Sequence, residues 1–164
     1  MYQAAQQLVA LATERGMRVA VAESLTGGAV ASAIVDVPGA SECFRGGAVT
    51  YATDAKASVL GVSEAQLERT GPVDPDVARE MASGVRQLFG ADLGVATTGV
   101  AGPGPSDGAE AGTVYIGWSD AQGEGAELCH FDGDRPQVRV AAVKAALEML
   151  VARIRILASS ENPR

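Results

Sequence analysis

The sequence has few of the residues from which metal centres, disulfide frameworks and histidine-based catalytic sites are built. It holds two cysteines, Cys43 and Cys129, and one histidine, His130. These are too few and too scattered for a metal-binding motif, a set of disulfides or a Ser/His triad. No apolar run resembles a secretion signal or approaches the length that spans a bilayer. We therefore expect no metal or other cofactor, no membrane partner and a cytoplasmic location.

Basic residues are also scarce relative to acidic ones. The 13 lysines and arginines face 20 aspartates and glutamates, which gives a net charge of −7. A chain this acidic is unsuited to general nucleic-acid binding, and an anionic ligand would need a local basic cluster. Its 164 residues, 47% of them hydrophobic, fit one domain with a substantial core. We expect a single domain over residues 1–164, with a polar, disordered tail from about Ser159.

Apolar periodicity and turn residues predict an α/β fold. Strands are predicted at Arg18–Ala22, Phe44–Tyr51, Leu93–Val100, Thr113–Ser119 and Ala126–Phe131, the last two as a hairpin around residues 122–125. Helices are predicted at Tyr2–Arg15 and Gly28–Val35, after a cap at Thr53 or Asp54, from Ser63, from Asp74, with Leu88 on its apolar face, and after Asp134. This alternation indicates a three-layer α/β/α sandwich with a mixed sheet.

A serine stands where the first predicted strand meets a helix. The segment Val19–Val30 reads VAVAESLTGGAV, a buried strand that runs into a glycine turn and an alanine-rich helix. The first N–H groups of a helix lack internal partners, so such junctions bind anions and hold reactive side chains. Ser24 is either a helix cap or a nucleophile, and Thr26 is the more natural cap. As a nucleophile, Ser24 would use N–H groups near Gly27 and Gly28 as its oxyanion site.

The base for such a serine must be something other than histidine, and Lys56 is the candidate. Lys56 falls in the first turn of its predicted helix, where the macrodipole disfavours a positive charge and partial burial lowers an amine pKa. Tyr51, at the end of the preceding strand, is positioned to contact both Ser24 and Lys56 as a proton relay. Taken singly, Lys56 also fits a solvated surface residue, and Tyr51 a residue at the rim of the core.

Two arginines form the best anion site that the sequence offers. Arg135 and Arg139 are four residues apart and share one face of the last helix. Together with helix N–H groups they suit a phosphate or carboxylate, although Asp132 or Asp134 offers a simpler electrostatic partner. Thr98-Gly99 ends the third strand, where ligands gather in open α/β sheets, although threonine is also an ordinary strand former.

Five short motifs resemble those of one family, the CinA C-terminal domain, whose stand-alone members are nicotinamide-nucleotide amidases (PncC-type NMN deamidases). The resemblance runs from about Ala4 to Ile154. It rests on AESLTGG at 22–28, VTYATDAK at 49–56, TGVAGP at 98–103, GTV at 112–114 and FDGDR at 131–135. The chain departs from the family pattern at Thr53-Asp54 and at Val73-Asp74-Pro75, neither of which belongs to the proposed chemistry.

The resemblance implies an α/β/α sandwich that hydrolyses the carboxamide of nicotinamide mononucleotide (NMN), giving nicotinate mononucleotide and ammonia. The family's catalytic serine, tyrosine and lysine correspond to Ser24, Tyr51 and Lys56. We expect Thr26, Gly27, Gly28, Thr98, Gly99, Arg135 and Arg139 to form the oxyanion and substrate-binding positions. The resemblance also implies a homodimer or higher oligomer, and the larger N-terminal domain of full-length members is not expected within these 164 residues.

Two other functions remain open from the sequence. The first is a non-catalytic nucleotide-binding or regulatory module, which would keep the arginine pair but would not need Ser24, Tyr51 and Lys56 together. The second is a β-lactamase-like acyl hydrolase, which shares the Ser/Lys logic but places its lysine three residues after the serine. No lysine stands three residues after Ser24.

Overall fold

The structure is a computed structural model that describes residues 1–160. Five strands form one sheet: β1 (Val19–Glu23), β2 (Phe44–Val49), β3 (Leu93–Gly99), β4 (Thr113–Asp120) and β5 (Gly123–His130). Six α-helices in this described part of the chain pack on the two faces of the sheet: α1 (Tyr2–Glu14), α2 (Ala29–Val35), α3 (Thr53–Leu60), α4 (Glu64–Thr70), α5 (Pro75–Leu88) and α6 (Arg135–Ser160). A short 3₁₀ helix covers Ala40–Glu42.

The sheet is mixed and lies between two helical layers. Its strand order is β2-β1-β3-β4-β5, with β1 parallel to β2 and β3 and with β4 antiparallel to both of its neighbours. Helices α1, α2 and α6 contribute to the larger apolar core on one face. Helices α3, α4 and α5 contribute to a smaller core on the other face. The predicted three-layer α/β/α sandwich is confirmed.

The pleat of β1 decides which layer each of its side chains meets. Val19 and Val21 belong to the core beneath α1, α2 and α6, whereas Ala20 and Ala22 belong to the core beneath α5. Because successive strand residues point to opposite faces, Glu23 is directed toward α2 and the next residue toward α3. This alternation gives the strand end two different partners on opposite sides of the sheet.

The carboxyl ends of four strands meet at one edge of the sheet. Strands β1, β2 and β3 run parallel, and β5 runs in the same direction because two antiparallel pairings separate it from β3. The segments that follow these strands are therefore brought together, although they are far apart in sequence. They are the turn after Glu23, the Thr50–Ala52 connection, the loop over residues 100–112 and the start of α6.

Most of the predicted helix boundaries are confirmed, including three specific signals. The side chain of Ser63 accepts a hydrogen bond from the Gln66 N–H at the start of α4. Asp74 accepts bonds from the Asp76 and Val77 N–H groups at the start of α5, directly before Pro75. Gly61 ends α3 with a left-handed φ of +71°.

Several local predictions are wrong. Helix α3 is preceded by an extended Ala52 with no side-chain cap, because Thr53 and Asp54 already lie inside its first turn. The hairpin turns earlier than expected: Asp120 pairs with Gly123, so the turn consists of residues 121–122 and β5 begins at Gly123. Leu88, placed on the buried face of α5, is exposed at the last residue of the helix.

The tail was expected to begin at about Ser159. Helix α6 continues through Ser160, and the remainder of the predicted tail, residues 161–164, lies outside the described residues. Over residues 1–160, no helix combines the length and the apolar character needed to cross a membrane.

Candidate active site

Lys56 and Ser24 lie side by side at the carboxyl edge of the sheet. Lys56 Nζ is 3.0 Å from Ser24 Oγ. The lysine side chain is 1% exposed and the serine 8% exposed, so water has little access to their contact. The sequence predicted this pair across 32 residues, and the structure brings it together.

The Lys56 amine has two further partners, both of them backbone carbonyls. Nζ donates to Thr50 O at 2.7 Å and to Tyr51 O at 3.4 Å. A charged ammonium uses its three protons on these three oxygens. A neutral amine has two N–H donors, which match the two carbonyls, and its lone pair is then directed at the Ser24 hydroxyl. The same geometry therefore accommodates both protonation states.

Burial makes the neutral amine accessible. Desolvation lowers the Lys56 pKa from 10.5 to about 8, while the negative charge of Asp107 opposes this shift. No carboxylate lies within 4.0 Å of Nζ in the described part of the chain. A lysine that loses its proton near pH 8 is suited to the role of a general base.

Glu23, adjacent to Ser24, has a role that the sequence reasoning missed. Its carboxylate is 1% exposed and accepts three backbone N–H bonds, from Gly28 at 3.0 Å, Val30 at 3.0 Å and Ala31 at 2.8 Å. A buried carboxylate needs such compensation, and the start of a helix supplies it. The available signal was the strand alternation, which directs Glu23 toward the helix after the turn.

The prediction that Thr26 caps α2 is wrong. Thr26 is fully buried and its hydroxyl hydrogen-bonds the Thr97 hydroxyl at 2.8 Å. Glu23 reaches the helix start instead, and Gly28 supplies the N-cap backbone with a φ of +98°. Thr26 therefore joins the turn to β3 and does not line the cavity described below.

The N–H groups predicted as oxyanion donors are already engaged. Gly27 N donates to Ser24 O at 3.1 Å, and Gly28 N donates to Glu23. Ser24 N donates to Thr97 O at 3.0 Å. Within residues 1–160 no hydrogen-bond acceptor is found for the N–H groups of Leu25 and Thr26. Of these two residues, Leu25 lines the cavity described below, so the donor left to an incoming oxygen is the N–H directly after the serine.

Arg139 holds this turn from the opposite side. Its Nε donates to Leu25 O at 2.9 Å and its Nη2 to Thr26 O at 3.0 Å. Because the C=O and N–H bonds of a trans peptide group point in opposite directions, fixing the Leu25 carbonyl on Arg139 turns the Thr26 N–H away from it. Arg139 is therefore committed to the backbone.

Arg135 lies apart from Arg139, so the predicted arginine pair is divided. Its Nη1 donates to Gly102 O at 2.9 Å and its Nη2 to the Tyr51 hydroxyl at 3.1 Å. Tyr51 is 61% exposed, and its hydroxyl has no hydrogen bond to Ser24 or Lys56 in the described chain. The structure thus places Tyr51 beside Arg135, while its backbone carbonyl, not its hydroxyl, contacts the lysine.

A cavity of about 200 Å³ joins these groups. Ser24, Leu25, Lys56, Tyr51 and Arg135 all line it. Thr98 and Gly99, which the sequence predicted as substrate-binding positions, also line it, but the Thr98 hydroxyl already donates to Pro72 O at 2.7 Å. The remaining lining comes largely from the loop at 100–107 and from Pro72-Val73. No group of three or more His, Cys, Asp or Glu in residues 1–160 is arranged to hold a metal ion.

Solved structures with this architecture include proteins of one class, the CinA superfamily. A CinA superfamily protein from Klebsiella pneumoniae superposes with a TM-score of 0.90 at 32% identity, over 94% of this chain and 97% of that one. A competence/damage inducible protein from Agrobacterium tumefaciens gives 0.87 at 36% identity, over 92% and 93% of the two chains.

Sequence comparison gives the particular family. The model of the CinA C-terminal domain matches residues 1–154, and the chain belongs to this family. It is 46% identical over 154 residues to a CinA-like protein of Frankia casuarinae and 45% identical over 159 residues to one of Syntrophus aciditrophicus. These matches cover 94% and 96% of this chain but 36% and 37% of those relatives, so the chain spans about a third of their length.

The three hydrogen bonds to Glu23 predict that even a conservative substitution there lowers the free energy of unfolding. In Glu23→Gln one acceptor oxygen is replaced by an NH₂ group that faces N–H donors, so at least one helix N–H loses its partner. We expect the free energy of unfolding to fall by about 1–3 kcal/mol in urea denaturation. Glu14→Gln, at an exposed end of α1, is the matched control and should stay within about 0.5 kcal/mol of the parent chain. Equal stability of the two variants would contradict the capping role.

Proposed function

We propose that this chain is an amidohydrolase that converts NMN to nicotinate mononucleotide and ammonia. The observation that carries the proposal is the buried contact between Lys56 Nζ and Ser24 Oγ at the wall of a cavity. Membership of the CinA family supports it, because four of the five motifs that carry the resemblance, all but GTV at 112–114, contribute residues to the lining of this cavity. The choice of NMN as substrate comes from that resemblance.

The first half of the reaction forms an acyl-enzyme. Neutral Lys56 takes the Ser24 proton as Oγ attacks the carboxamide carbon, which makes a C–O bond and moves the carbonyl electrons onto oxygen. The free N–H group of Leu25, which lines the cavity, holds this oxyanion, in place of the Gly27 and Gly28 groups expected from the sequence. The C–N bond then breaks as the leaving nitrogen takes the proton back from Lys56, and ammonia departs.

The second half returns the enzyme to its starting state. Lys56, again neutral, takes a proton from a water molecule whose oxygen attacks the ester carbonyl. The new tetrahedral intermediate uses the same oxyanion donor and collapses with Ser24 as the leaving group. Its oxygen is reprotonated by Lys56, and nicotinate mononucleotide is released.

The substrate phosphate is assigned to Arg135. Its guanidinium lies at the cavity lining beside the Tyr51 hydroxyl, which adds a further hydrogen-bond donor. Arg139 is a positioning residue in this scheme, because both of its contacts are to the backbone of the turn that carries the oxyanion donor.

The direct test of the function is ammonia release from NMN. Ser24→Ala and Lys56→Ala should each lower kcat by at least about a hundredfold, because one removes the nucleophile and the other its base. The chain has two lysines, so Lys144→Ala, exposed on α6, is the matched control and should retain parental turnover. Wild-type turnover in either site variant would refute the mechanism. A parent chain that binds NMN without releasing ammonia would favour the regulatory module.

The Lys56 pKa predicts how the rate depends on pH. The base works as the neutral amine, so lowering the pH below the pKa of about 8 removes the active form. We expect kcat/KM for NMN to rise about tenfold per pH unit up to pH 8 and to level off above it. The profile should be measured from pH 6.5 to 9.5 and corrected for uncatalysed hydrolysis. A rate that is flat or falls between pH 7 and 8.5 would contradict this assignment.

Because Arg135 and Arg139 contact different groups, we expect their substitutions to have different kinetic effects. Arg135→Ala should raise KM for NMN by about tenfold or more, the effect of losing a hydrogen bond between charged groups. It should leave KM for nicotinamide riboside, which has no phosphate, nearly unchanged. Arg139→Ala should instead lower kcat for both compounds, because the turn at Leu25-Thr26 loses its support. Arg155→Ala, exposed on α6, is the control. A rise in KM specific to NMN in Arg139→Ala would reverse the assignment.

A further inference from the structure

Asp107 reaches the active-site cavity from a tight turn in the loop between β3 and β4. Ser106 N donates to Ala109 O at 3.0 Å, and Ala109 N donates to Ser106 O at 2.9 Å. Between them, Asp107 and Gly108 have φ angles of +51° and +77°. An Asp-Gly pair with two positive φ angles is typical of a two-residue hairpin turn. The loop therefore holds Asp107 in a defined position at the lining of the cavity.

Asp107 is the one carboxylate among the described residues that line this cavity. The other charged lining groups are the amine of Lys56 and the guanidinium of Arg135. Asp107 accepts a hydrogen bond from its neighbour, the Ser106 hydroxyl, at 2.9 Å. It forms no ion pair within 4.0 Å in residues 1–160. Its charge is thus left to act on whatever the cavity contains.

Without a bound substrate, the negative charge of Asp107 disfavours the proposed proton transfer from Ser24 to Lys56. A negative charge near Lys56 favours the protonated amine, which cannot accept the Ser24 proton. In a site that requires a neutral lysine, such a carboxylate is unfavourable unless the substrate carries a positive charge. A cation placed beside Asp107 would offset its effect on Lys56 and would also gain binding energy.

We propose that Asp107 binds a cationic ring, so that the cavity selects pyridinium carboxamides over neutral amides. This inference rests on the proposed function and extends it to the charge of the ring. In NMN the ring nitrogen is bonded to ribose and carries a positive charge, while the phosphate is negative. The acidic group on the β3–β4 loop and the basic group at the start of α6 correspond to these two charges. The substrate itself then favours the neutral form of Lys56.

The experiment compares NMN with its 1,4-dihydro form, which keeps the carboxamide and phosphate but has a neutral ring. Both are assayed at pH 9, above the Lys56 pKa of about 8, so that changes in lysine protonation contribute little. The variant is Asp107→Asn, since asparagine also tolerates a positive φ and preserves the turn. The control is Asp36→Asn, which removes an exposed acid at the end of α2, outside the cavity lining.

We expect Asp107→Asn to lower kcat/KM for NMN by about fivefold or more, the effect of one charge pair in a water-like medium. Hydrolysis of the dihydro form should stay within about twofold of the parent chain, and Asp36→Asn should change neither rate. Equal losses for both substrates, or no loss for NMN, would overturn the proposal.

A binding experiment distinguishes failure of this inference from failure of the proposed function. A parent chain that releases no ammonia from NMN refutes the amidase, and the role of Asp107 is then judged by calorimetry. In the Ser24→Ala chain, 1-methylnicotinamide, a cation, should bind more tightly than neutral nicotinamide, and adding Asp107→Asn should abolish that difference. Equal affinities before the Asp107 change, or a preference that survives it, would overturn the inference.

Discussion

The site depends on one buried amine held between the backbone and a serine. Thr50 and Tyr51 direct their carbonyls at Lys56 Nζ, and Ser24 takes the remaining direction. Burying an ammonium without a carboxylate partner is unfavourable, and the protein meets this with carbonyl dipoles and a lowered pKa. A carboxylate paired with Lys56 would have stabilised the charged lysine more strongly, but it would also have disfavoured loss of the proton from the amine. The absence of such a partner within reach of Nζ in residues 1–160 therefore fits the proposed role of Lys56 as a base.

Much of the fold and part of the site follow from the sequence. The strand and helix boundaries come from local periodicity, and the caps at Ser63 and Asp74 come from short-range side-chain contacts. The contact between Ser24 and Lys56 is long-range, and it was predicted from residue types and family motifs. What made it geometrically possible is the parallel pairing of β1 with β2, which ends both strands at one edge.

The parts that sequence reasoning missed concern the direction of individual groups. Spacing placed Arg135 and Arg139 on one helix face. In the structure Arg139 donates to two backbone carbonyls, whereas Arg135 donates to the Tyr51 hydroxyl. The N–H groups of Gly27 and Gly28 were assumed free, yet the preceding strand residue supplies an acceptor for one of them. Periodicity assigns residues to the faces of helices and strands. The acceptor that a given donor bonds depends on competition among several nearby acceptors, and only a three-dimensional structure resolves it.

The bonds from Arg139 to Leu25 and Thr26 span more than 110 positions in the chain. Ser24 and Lys56 both lie within the first 56 residues, whereas Arg139, which supports the turn after Ser24, belongs to the last helix. As the chain leaves the ribosome, the amino-terminal half therefore carries Ser24 and Lys56 without their support. The proposed site, with its turn supported, therefore requires α6, which is the last helix to be synthesised.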